Sequence, residues 1–202
     1  MSGGYGGGYG WGQEVGDGSG GGSSGNVDLN YWYGDLPYLS EGLVKDEKTG
    51  NWYYYVGGRI ATEYTGLVQY STGTYYYVEN GVLDWNYTGM ASQGSRRGYV
   101  AKGRLDTSKN GLYKEDGTWY NFAAGWVKSD YTGLVKYSSG SYYYVESGIL
   151  DWNYTGLAQY DQGGYYYVKD GRLDWSYTGM ASQGSRQGYV TKGRLDTSKT
   201  GK

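Results

Sequence analysis

The sequence predicts an all-β fold, a β-solenoid of tandem β-hairpin repeats of about 22–23 residues each. The first observation is a glycine that recurs with periods of 24, 23, 22, 22, 23 and 23 residues. The second is that each period carries an aromatic strand, a glycine turn and a short aliphatic strand. The third is that no window of the sequence places apolar residues at helical spacing. The recurring glycines, which open the seven copies, are Gly42, Gly66, Gly89, Gly111, Gly133, Gly156 and Gly179.

The second copy, which begins at Gly66, indicates how each repeat is expected to fold. The run Tyr75–Val78 is aromatic and ends in a β-branched residue, which suits a half-buried strand. Asn80-Gly81 is typical of a tight hairpin turn, because both residues tolerate positive φ. Val82-Leu83 then predicts a short returning strand. Since alternate residues of a strand face opposite sides, one tyrosine face is expected to stack along the array while the other presents phenols outward.

Comparison of the seven copies separates the positions that every repeat keeps from those that vary. The hairpin glycine, expected to need positive φ, recurs as Gly58, Gly81, Gly103, Gly125, Gly148, Gly171 and Gly193. Two positions later stand Ile60, Leu83, Leu105, Val127, Leu150, Leu173 and Leu195. After the opening glycine stand Leu43, Leu67, Met90, Leu112, Leu134, Leu157 and Met180, and the aromatic strand ends in Val56, Val78, Val100, Phe122, Val145, Val168 and Val190. These three apolar positions are expected to form a thin core that continues from copy to copy.

Three segments are expected along the chain. Residues 1–26 are a Gly-rich tail, whose composition fits a flexible linker or a segment docked through its aromatic side chains. These side chains are Tyr5, Tyr9 and Trp11, which we interpret as assembly contacts. Residues 27–41 resemble half a repeat and predict an N-terminal cap, since terminal repeats are commonly atypical. Residues 42–202 contain the seven-copy β-hairpin solenoid.

The third and seventh copies depart from the others in the aromatic strand. Both open with GMASQGSR, at Gly89 and Gly179, which lie 90 residues apart. The same offset relates the second copy to the sixth, which indicates a higher-order unit of about four copies. Arg97 and Arg186 interrupt the tyrosine pattern, and we interpret them either as part of a solvated face or as subunit contacts. No polar cap follows the last copy, which predicts an open edge able to receive another chain.

Composition argues against several classes of protein. A net charge of −2 gives no indication of binding to nucleic acid or to an anionic membrane. The chain has no Cys and no His, which removes disulfides, His-based metal sites and the common nucleophile–base pairs, so we expect neither an enzyme nor a cofactor. No apolar run approaches the roughly 18 residues of a membrane helix, so no transmembrane segment is expected. No signal peptide is visible near Met1.

The pattern GxxxYxxGxYYYVxxGxLDW resembles the choline-binding and glucan-binding cell-wall repeats of Gram-positive bacteria, and is also similar to repeats of clostridial toxins. Gly66, Tyr75–Tyr77 and Gly81 stand at the corresponding places, and the resemblance covers residues 42–201. One departure is that every copy has Leu or Met where the family has the Trp of its TGW opening. The resemblance implies a solenoid on a bacterial surface or in a secreted protein. It also implies that choline on teichoic acid, or glucans, bind in aromatic pockets between consecutive hairpins.

The candidate ligand-binding residues are aromatic side chains at the start of the aromatic strand and after the recurring Leu-Asp pair. They are Trp52, Tyr75, Trp85, Trp119, Tyr142, Trp152, Tyr165 and Trp175. For Trp85, Trp152 and Trp175, two interpretations remain open at this stage. They are platforms on which a sugar ring stacks, or they pack against the next hairpin.

The aspartates of the Leu-Asp pair also recur, as Asp84, Asp106, Asp151, Asp174 and Asp196. One interpretation is a ladder of Ca²⁺ sites. The favoured one is a set of Asx-type turns that cap backbone N–H groups, because the series breaks at Ala61 and Lys128. We therefore expect no metal site. Carboxylates at equivalent places also argue against a hydrolase, which needs one special pair in a cleft.

These observations together predict a non-catalytic repeat protein of the bacterial cell surface or extracellular space. Its expected partner is a cell-wall polymer or glycan, bound through aromatic residues between the copies. The alternative is a structural protein that assembles end to end into fibres, with the Gly/Tyr-rich tail bridging the subunits. Filaments formed without ligand would favour the fibre, and uniform monomers that bind a glycan would favour the binding protein.

Overall fold

The structure is a computed structural model that describes residues 41–70, 73–160 and 163–199. All of these residues lie in one compact unit of the chain, residues 36–202. The predicted tail with Tyr5, Tyr9 and Trp11, and the predicted cap apart from residue 41, lie outside the described residues. Within the described part, no helix has the length and apolar character needed to cross a membrane.

Each copy contributes two longer strands and one short strand. In the first four copies the strands are β1 (Glu41–Lys45), β2 (Trp52–Val56), β3 (Arg59–Ile60), β4 (Gly66–Gln69), β5 (Tyr75–Glu79), β6 (Val82–Leu83), β7 (Gly89–Gln93), β8 (Arg96–Ala101), β9 (Arg104–Leu105), β10 (Gly111–Glu115), β11 (Thr118–Ala123) and β12 (Trp126–Val127). In the last three copies they are β13 (Gly133–Lys136), β14 (Tyr142–Glu146), β15 (Ile149–Leu150), β16 (Gly156–Gln159), β17 (Tyr165–Lys169), β18 (Arg172–Leu173), β19 (Gly179–Gln183), β20 (Arg186–Thr191) and β21 (Arg194–Leu195). A 3-10 helix, Thr197–Lys199, follows β21 and is the only helix among the described residues. The predicted all-β fold of tandem hairpins is confirmed.

The second strand of each copy joins the copies into one continuous antiparallel sheet. Strand β2 pairs with β1 along one edge. Its other edge is shared, because Tyr55 and Val56 pair with β3 of the same copy, whereas Tyr53 pairs with Val82 in β6 of the next copy. The same sharing repeats at β5, β8, β11, β14 and β17. Each copy is therefore held by its neighbours in sequence, as in other solenoids.

The turn glycines lie at the contact between neighbouring copies. All seven have positive φ, from +70° to +81°, as the sequence predicts. A Cβ on Gly148 would lie 2.5 Å from the carbonyl oxygen of Lys128 in the preceding copy, so no larger residue fits there. The Gly148 N–H donates to the Tyr131 carbonyl at 2.9 Å, and the Gly148 carbonyl accepts from the Asn121 N–H at 2.8 Å. Equivalent pairs of bonds join the other copies.

The core consists of small apolar clusters that bridge consecutive copies. Leu43 of the first copy packs with Val68, Val78 and Leu83 of the second. Equivalent clusters form around Leu67, Leu112, Leu134 and Leu157, each with residues of the following copy. In these five copies the residue after the opening glycine is therefore covered by the next copy, whereas Met90 of the third copy is only partly buried.

One predicted core residue of the seventh copy is exposed for this reason. Met180 has 55 % of its surface exposed, whereas its neighbour Ala181 is buried against the preceding copy. No further copy follows among the described residues to cover the methionine. The expectation that Met180 belongs to the core was wrong.

The core assignment in the aromatic strand of the first copy was also wrong. Val56 is 44 % exposed, and Tyr55 is the buried residue, at 3 %. Gly42 pairs with Tyr55, just as Gly66 pairs with Val78 in the second copy. Tyr55 therefore occupies the core position, and the sequence comparison was displaced by one residue in this copy.

Tyrosine pairs fasten the segment that links one copy to the next. The rings of Tyr144 and Tyr154 stack with centroids 3.6 Å apart, and the pairs Tyr77–Tyr87 and Tyr167–Tyr177 stack in the same way. The linking tyrosine also donates its hydroxyl hydrogen to a carbonyl three residues later, as Tyr87 does to Met90 at 2.6 Å. Burial, with a smaller contribution from Tyr154, raises the pKa of Tyr144 to about 12.

Candidate functional site: aromatic cages between copies

The first candidate site lies between copies 1 and 2 and is walled by side chains without charge. We call it cage 1/2. Its lining residues are Leu43, Trp52, Tyr70, Tyr76, Leu83 and Trp85. Each of its rings meets the next edge to face: Trp52–Tyr70 at 5.4 Å, Tyr70–Tyr76 at 6.1 Å and Tyr76–Trp85 at 5.6 Å between centroids. They surround a cavity of about 30 Å³.

A second site of the same construction lies between copies 4 and 5. We call it cage 4/5, and its lining residues are Leu112, Trp119, Tyr137, Tyr143, Leu150 and Trp152. The ring distances repeat those of the first cage: Trp119–Tyr137 at 5.4 Å, Tyr137–Tyr143 at 6.1 Å and Tyr143–Trp152 at 5.6 Å. The cavity measures about 60 Å³. Because the same geometry arises twice from separate copies, it follows from the repeat itself.

Local sequence explains how each ring is positioned. The first tryptophan of a cage is the first or second residue of the aromatic strand, and the second tryptophan follows the Asp of the Leu-Asp pair. That Asp forms the turn that fixes the tryptophan, since Asp84 Oδ1 accepts from the Asn86 N–H at 2.8 Å. Asp106, Asp151, Asp174 and Asp196 accept from equivalent N–H groups. The favoured interpretation of the aspartates as turn caps agrees with these bonds.

The outer tryptophans are the most accessible part of the cages. Trp85 and Trp152 have 50 % and 51 % of their surface exposed, and Trp175 has 54 %. Each lies nearly perpendicular to a tyrosine ring of its own copy, for example Trp85 to Tyr76. About half of the surface of each tryptophan is therefore open to solvent.

Copies 5 and 6 form a related cluster in which tyrosine replaces the first tryptophan. We call this cluster 5/6, and it consists of Tyr142, Tyr160, Tyr166 and Trp175. Tyr142 contacts Tyr160 at 5.0 Å and Trp175 at 6.3 Å between ring centroids. The ring of Tyr142, which is smaller than an indole, thus lies close to both Tyr160 and Trp175.

Two predicted site residues, Tyr75 and Tyr165, are placed differently. The ring of Tyr75 lies 5.0 Å from that of Trp126, which comes from the fourth copy and fills the junction of copies 2 and 3. Tyr165 lies beneath the guanidinium of Arg186, whose Cζ is 4.2 Å from the ring centroid. Neither Tyr75 nor Tyr165 lines cage 1/2 or cage 4/5.

The arginines predicted as assembly contacts both meet rings of their own chain. The Arg97 Nη2 donates to the Tyr120 hydroxyl at 3.1 Å, and its Cζ lies 4.9 Å from the Tyr120 ring centroid. Arg186 caps Tyr165 as described above. A role of Arg97 and Arg186 in contacts between subunits stays a prediction.

Sequence reasoning missed the tyrosines that close the cages. They are Tyr70, Tyr137 and Tyr160, each in the turn after the first strand of its copy. A signal was present, because the copies that close the two cages and cluster 5/6 have Tyr at this position, whereas the third, fourth and seventh copies have Gln93, Glu115 and Gln183. Trp126 was missed because its partners belong to copies 2 and 3.

Part of the chain is similar to a known family of repeats. The model of the choline-binding repeat matches residues 63–84, 108–120, 130–151 and 153–174. Four segments of the chain are thus similar to the choline-binding repeat. Three of the matches lie in the copies that build cage 1/2, cage 4/5 and cluster 5/6. The match 108–120 begins at the end of the third copy and continues into the fourth, and no match reaches the seventh copy.

No curated protein matches the chain. Among solved structures, alternansucrase in complex with isomaltononaose is similar, with 23 % identity and a TM-score of 0.28. The match covers 77 % of this chain and 12 % of the alternansucrase chain, so this protein spans only a small part of that enzyme's length.

Proposed function

We propose that this protein is a non-catalytic binding module, located at the bacterial surface or outside the cell, that holds choline-bearing cell-wall polymer in its inter-copy cages. The observation that carries the proposal is the pair of matching cages, each made of two tryptophans, two tyrosines and two leucines. The match to choline-binding repeats supports the same ligand.

The physical chemistry of the cages favours a soft organic cation. A quaternary ammonium has no N–H groups to satisfy, so an uncharged apolar wall imposes no hydrogen-bonding penalty on it. Aromatic faces attract the cation by about 0.5–2 kcal/mol for each well-placed ring. Leu43 and Leu112 stand on the strand that opens copies 1 and 4, and each adds apolar wall to its cage.

Cavity size also favours a small head group. Volumes of about 30 and 60 Å³ suit a methylated ammonium more closely than a pyranose ring. The half-exposed tryptophans at the edge would cover the part of choline that leads to the polymer. A cell-wall polymer with repeated choline groups would then engage several junctions of the array at once.

A glycan is the second candidate ligand, supported by the accessible indole faces of Trp85, Trp152 and Trp175. Sugars stack on such faces from outside and do not need to enter a cage. The two ligands therefore make different demands on the first tryptophan of each cage. Trp52 and Trp119 would matter for choline, and only the outer tryptophans would matter for a stacked sugar.

Calorimetric titration of the full chain distinguishes these candidates. Choline chloride is expected to bind, and ethanolamine, which keeps the chain length but lacks the methyl groups, is expected to bind at least about tenfold more weakly. Trp52→Ala combined with Trp119→Ala should abolish choline binding. If a soluble glucan oligosaccharide binds and choline does not, the ligand is the glycan and not choline. Binding of neither would contradict the proposed function.

A further inference from the structure

The junction of copies 4 and 5 has an open cleft beside its cage. We call it cleft 4/5, and its own wall contains Tyr113, Lys114, Lys136 and Ser138. The residues that line both cleft and cage are Leu112, Trp119 and Tyr137. The described residues leave a volume of about 630 Å³ in the cleft, against about 60 Å³ in the cage. The two walls are continuous, so a group attached to a caged head group enters the cleft.

The first strands of copies 4 and 5 stand apart at this cleft. In copy 5 the opening glycine lies close to the first strand of the next copy, since a Cβ on Gly133 would lie 2.8 Å from the Gln159 carbonyl oxygen. In copy 6 a Cβ on Gly156 would lie 2.8 Å from the Ser182 carbonyl oxygen. At Gly111, which opens copy 4, a Cβ would meet nothing within 4 Å. The cleft therefore lies inside the array, with a described copy on each side.

The charged side chains that line cleft 4/5 are both cationic. Lys114 lies on β10 and Lys136 on β13, and both are exposed. Among the residues that the structure describes, neither lysine belongs to an ion pair. The carboxylate next in sequence, Glu115, pairs with Lys109 instead. Two ammonium groups without a carboxylate in the lining favour an anion, and the Ser138 hydroxyl adds a hydrogen-bond donor.

The other aromatic junctions carry a different pair of residues at these places. In cage 1/2, Lys45 corresponds to Lys114, but Gln69 corresponds to Lys136. In cluster 5/6, Lys136 is followed by Gln159. Of these three junctions, cage 4/5 alone has a lysine on the first strand of both its copies. The two cages therefore form an internal comparison, because their aromatic walls are the same and the charge beside them differs.

We propose that cleft 4/5 is an anion subsite, which holds the phosphate of a phosphocholine group whose trimethylammonium end occupies cage 4/5. This inference rests on the proposed choline-binding function and specifies the ligand as a polymer substituted with phosphocholine. Two carbons and one oxygen separate the quaternary nitrogen of choline from the phosphorus, so the phosphate leaves the cage beside the wall that cage and cleft share. Lys114 and Lys136 then donate to the phosphate oxygens and neutralise their charge.

Calorimetric titration of the chain that carries Trp52→Ala isolates cage 4/5 from cage 1/2. Phosphocholine is expected to bind about tenfold more tightly than choline chloride, because each exposed ammonium group adds a few-fold to the affinity. Lys114→Gln and Lys136→Gln should each lower phosphocholine affinity about threefold and leave choline affinity unchanged. Lys192→Gln removes the same charge from an exposed position in the seventh copy and should change neither affinity. Equal affinity for the two ligands would overturn the proposal.

Cage 1/2 and the ionic strength supply two controls. Of the two cages, the chain that carries Trp119→Ala keeps cage 1/2 with Gln69 beside it, and its preference for phosphocholine over choline should be less than about threefold. The preference at cage 4/5 should disappear as the ionic strength rises from about 0.01 M to about 1 M, because the Debye length shortens from about 30 Å to about 3 Å. A preference that persists at high salt, or is equal at both cages, would show that the lysines do not hold the phosphate.

The outcomes separate this inference from the proposed function. If neither choline nor phosphocholine binds, the proposed function is contradicted, whereas choline binding without a preference for phosphocholine contradicts the anion subsite alone. Phosphocholine is also the head group of phosphatidylcholine, so the unmodified chain is mixed with phosphatidylcholine vesicles and, separately, with a soluble polymer that carries phosphocholine. The polymer should bind, and the vesicles should not pellet the protein. Pelleting with the vesicles would place a lipid head group in cleft 4/5 and overturn the assignment to a polymer.

Discussion

At the scale of single residues, exposure separates a ring that we propose to close a binding site from a ring that builds the core. Tyr144 is 4 % exposed and stacks on Tyr154, whereas Trp85 is half exposed and lies nearly perpendicular to Tyr76 of its own copy. Removing the first should affect stability, and removing the second should affect binding. The proposed binding role thus falls on an exposed ring in a turn, and the core role on a buried ring in a strand.

Trp85→Ala is expected to weaken choline binding to cage 1/2 by about tenfold, since the indole face contributes about 1–2 kcal/mol of cation–π attraction. The measurement is calorimetric titration in a chain whose other cage has been removed by Trp119→Ala. Val82→Ala is a matched control, because Val82 is 37 % exposed on β6 and lies outside the cage. Equal losses in the two variants would argue against a ligand in the cage.

The stability of the chain should fall at high pH through its buried phenols. The pKa of Tyr144 is raised from 10.0 to about 12, mainly by burial, so the folded chain holds this proton more tightly than the unfolded chain. Its contribution is fully present below pH 10 and is lost as the pH rises toward 12. Tyr144→Phe should therefore flatten the decline of the urea midpoint over this range. Tyr113→Phe, which removes an exposed phenol, should leave the decline as steep as in the unmodified chain.

At the scale of the element, the hairpin turn is the part of the repeat that could be read most directly from sequence. Asn80-Gly81 predicts positive φ at both positions, and the structure has +51° and +78° there. The second function of the glycine, close contact with the preceding copy, could not be read, because it depends on which backbone lies opposite. Tyr55 shows a similar limit, since Val56 fits the apolar pattern and only strand pairing places Tyr55 inside.

Two turn glycines of similar conformation separate the cost of a strained backbone from the cost of losing the close contact between copies. Gly148 has φ +76° and Gly117 has φ +83°, but only at Gly148 would a Cβ meet a carbonyl oxygen, at 2.5 Å. Gly117→Ala is expected to cost about 1 kcal/mol for the backbone conformation alone. Gly148→Ala should cost at least about 1–2 kcal/mol more, because neighbouring copies must separate. Denaturant unfolding measures both, and equal costs would show that the contact between copies is not tight.

At the scale of the whole molecule, repetition makes the fold easy to predict and the site harder. Pairs within one copy, such as Leu67 and Tyr77 on β4 and β5, follow from local pattern. Each cage instead combines residues of two copies, and Trp126 reaches back to the second and third. A single-copy consensus contains no information about these junctions, so Tyr70 and Trp126 were missed although their positions in the sequence are distinctive.

The array should also convert weak sites into strong attachment. Cage 1/2 and cage 4/5 lie three copies apart in one continuous sheet, so a polymer with repeated choline groups can occupy both. Trp52→Ala should remove one free-choline site and leave the affinity of the other unchanged. For the polymer, the same variant should lower affinity by about 10²-fold or more, because the second attachment is lost. Trp119→Ala should behave identically, since it removes the equivalent wall of the other cage. Binding of choline-bearing polymer to immobilised protein, beside calorimetry with free choline, measures the difference. If both ligands lose the same factor, the two cages do not act on one polymer, and attachment rests on a single junction.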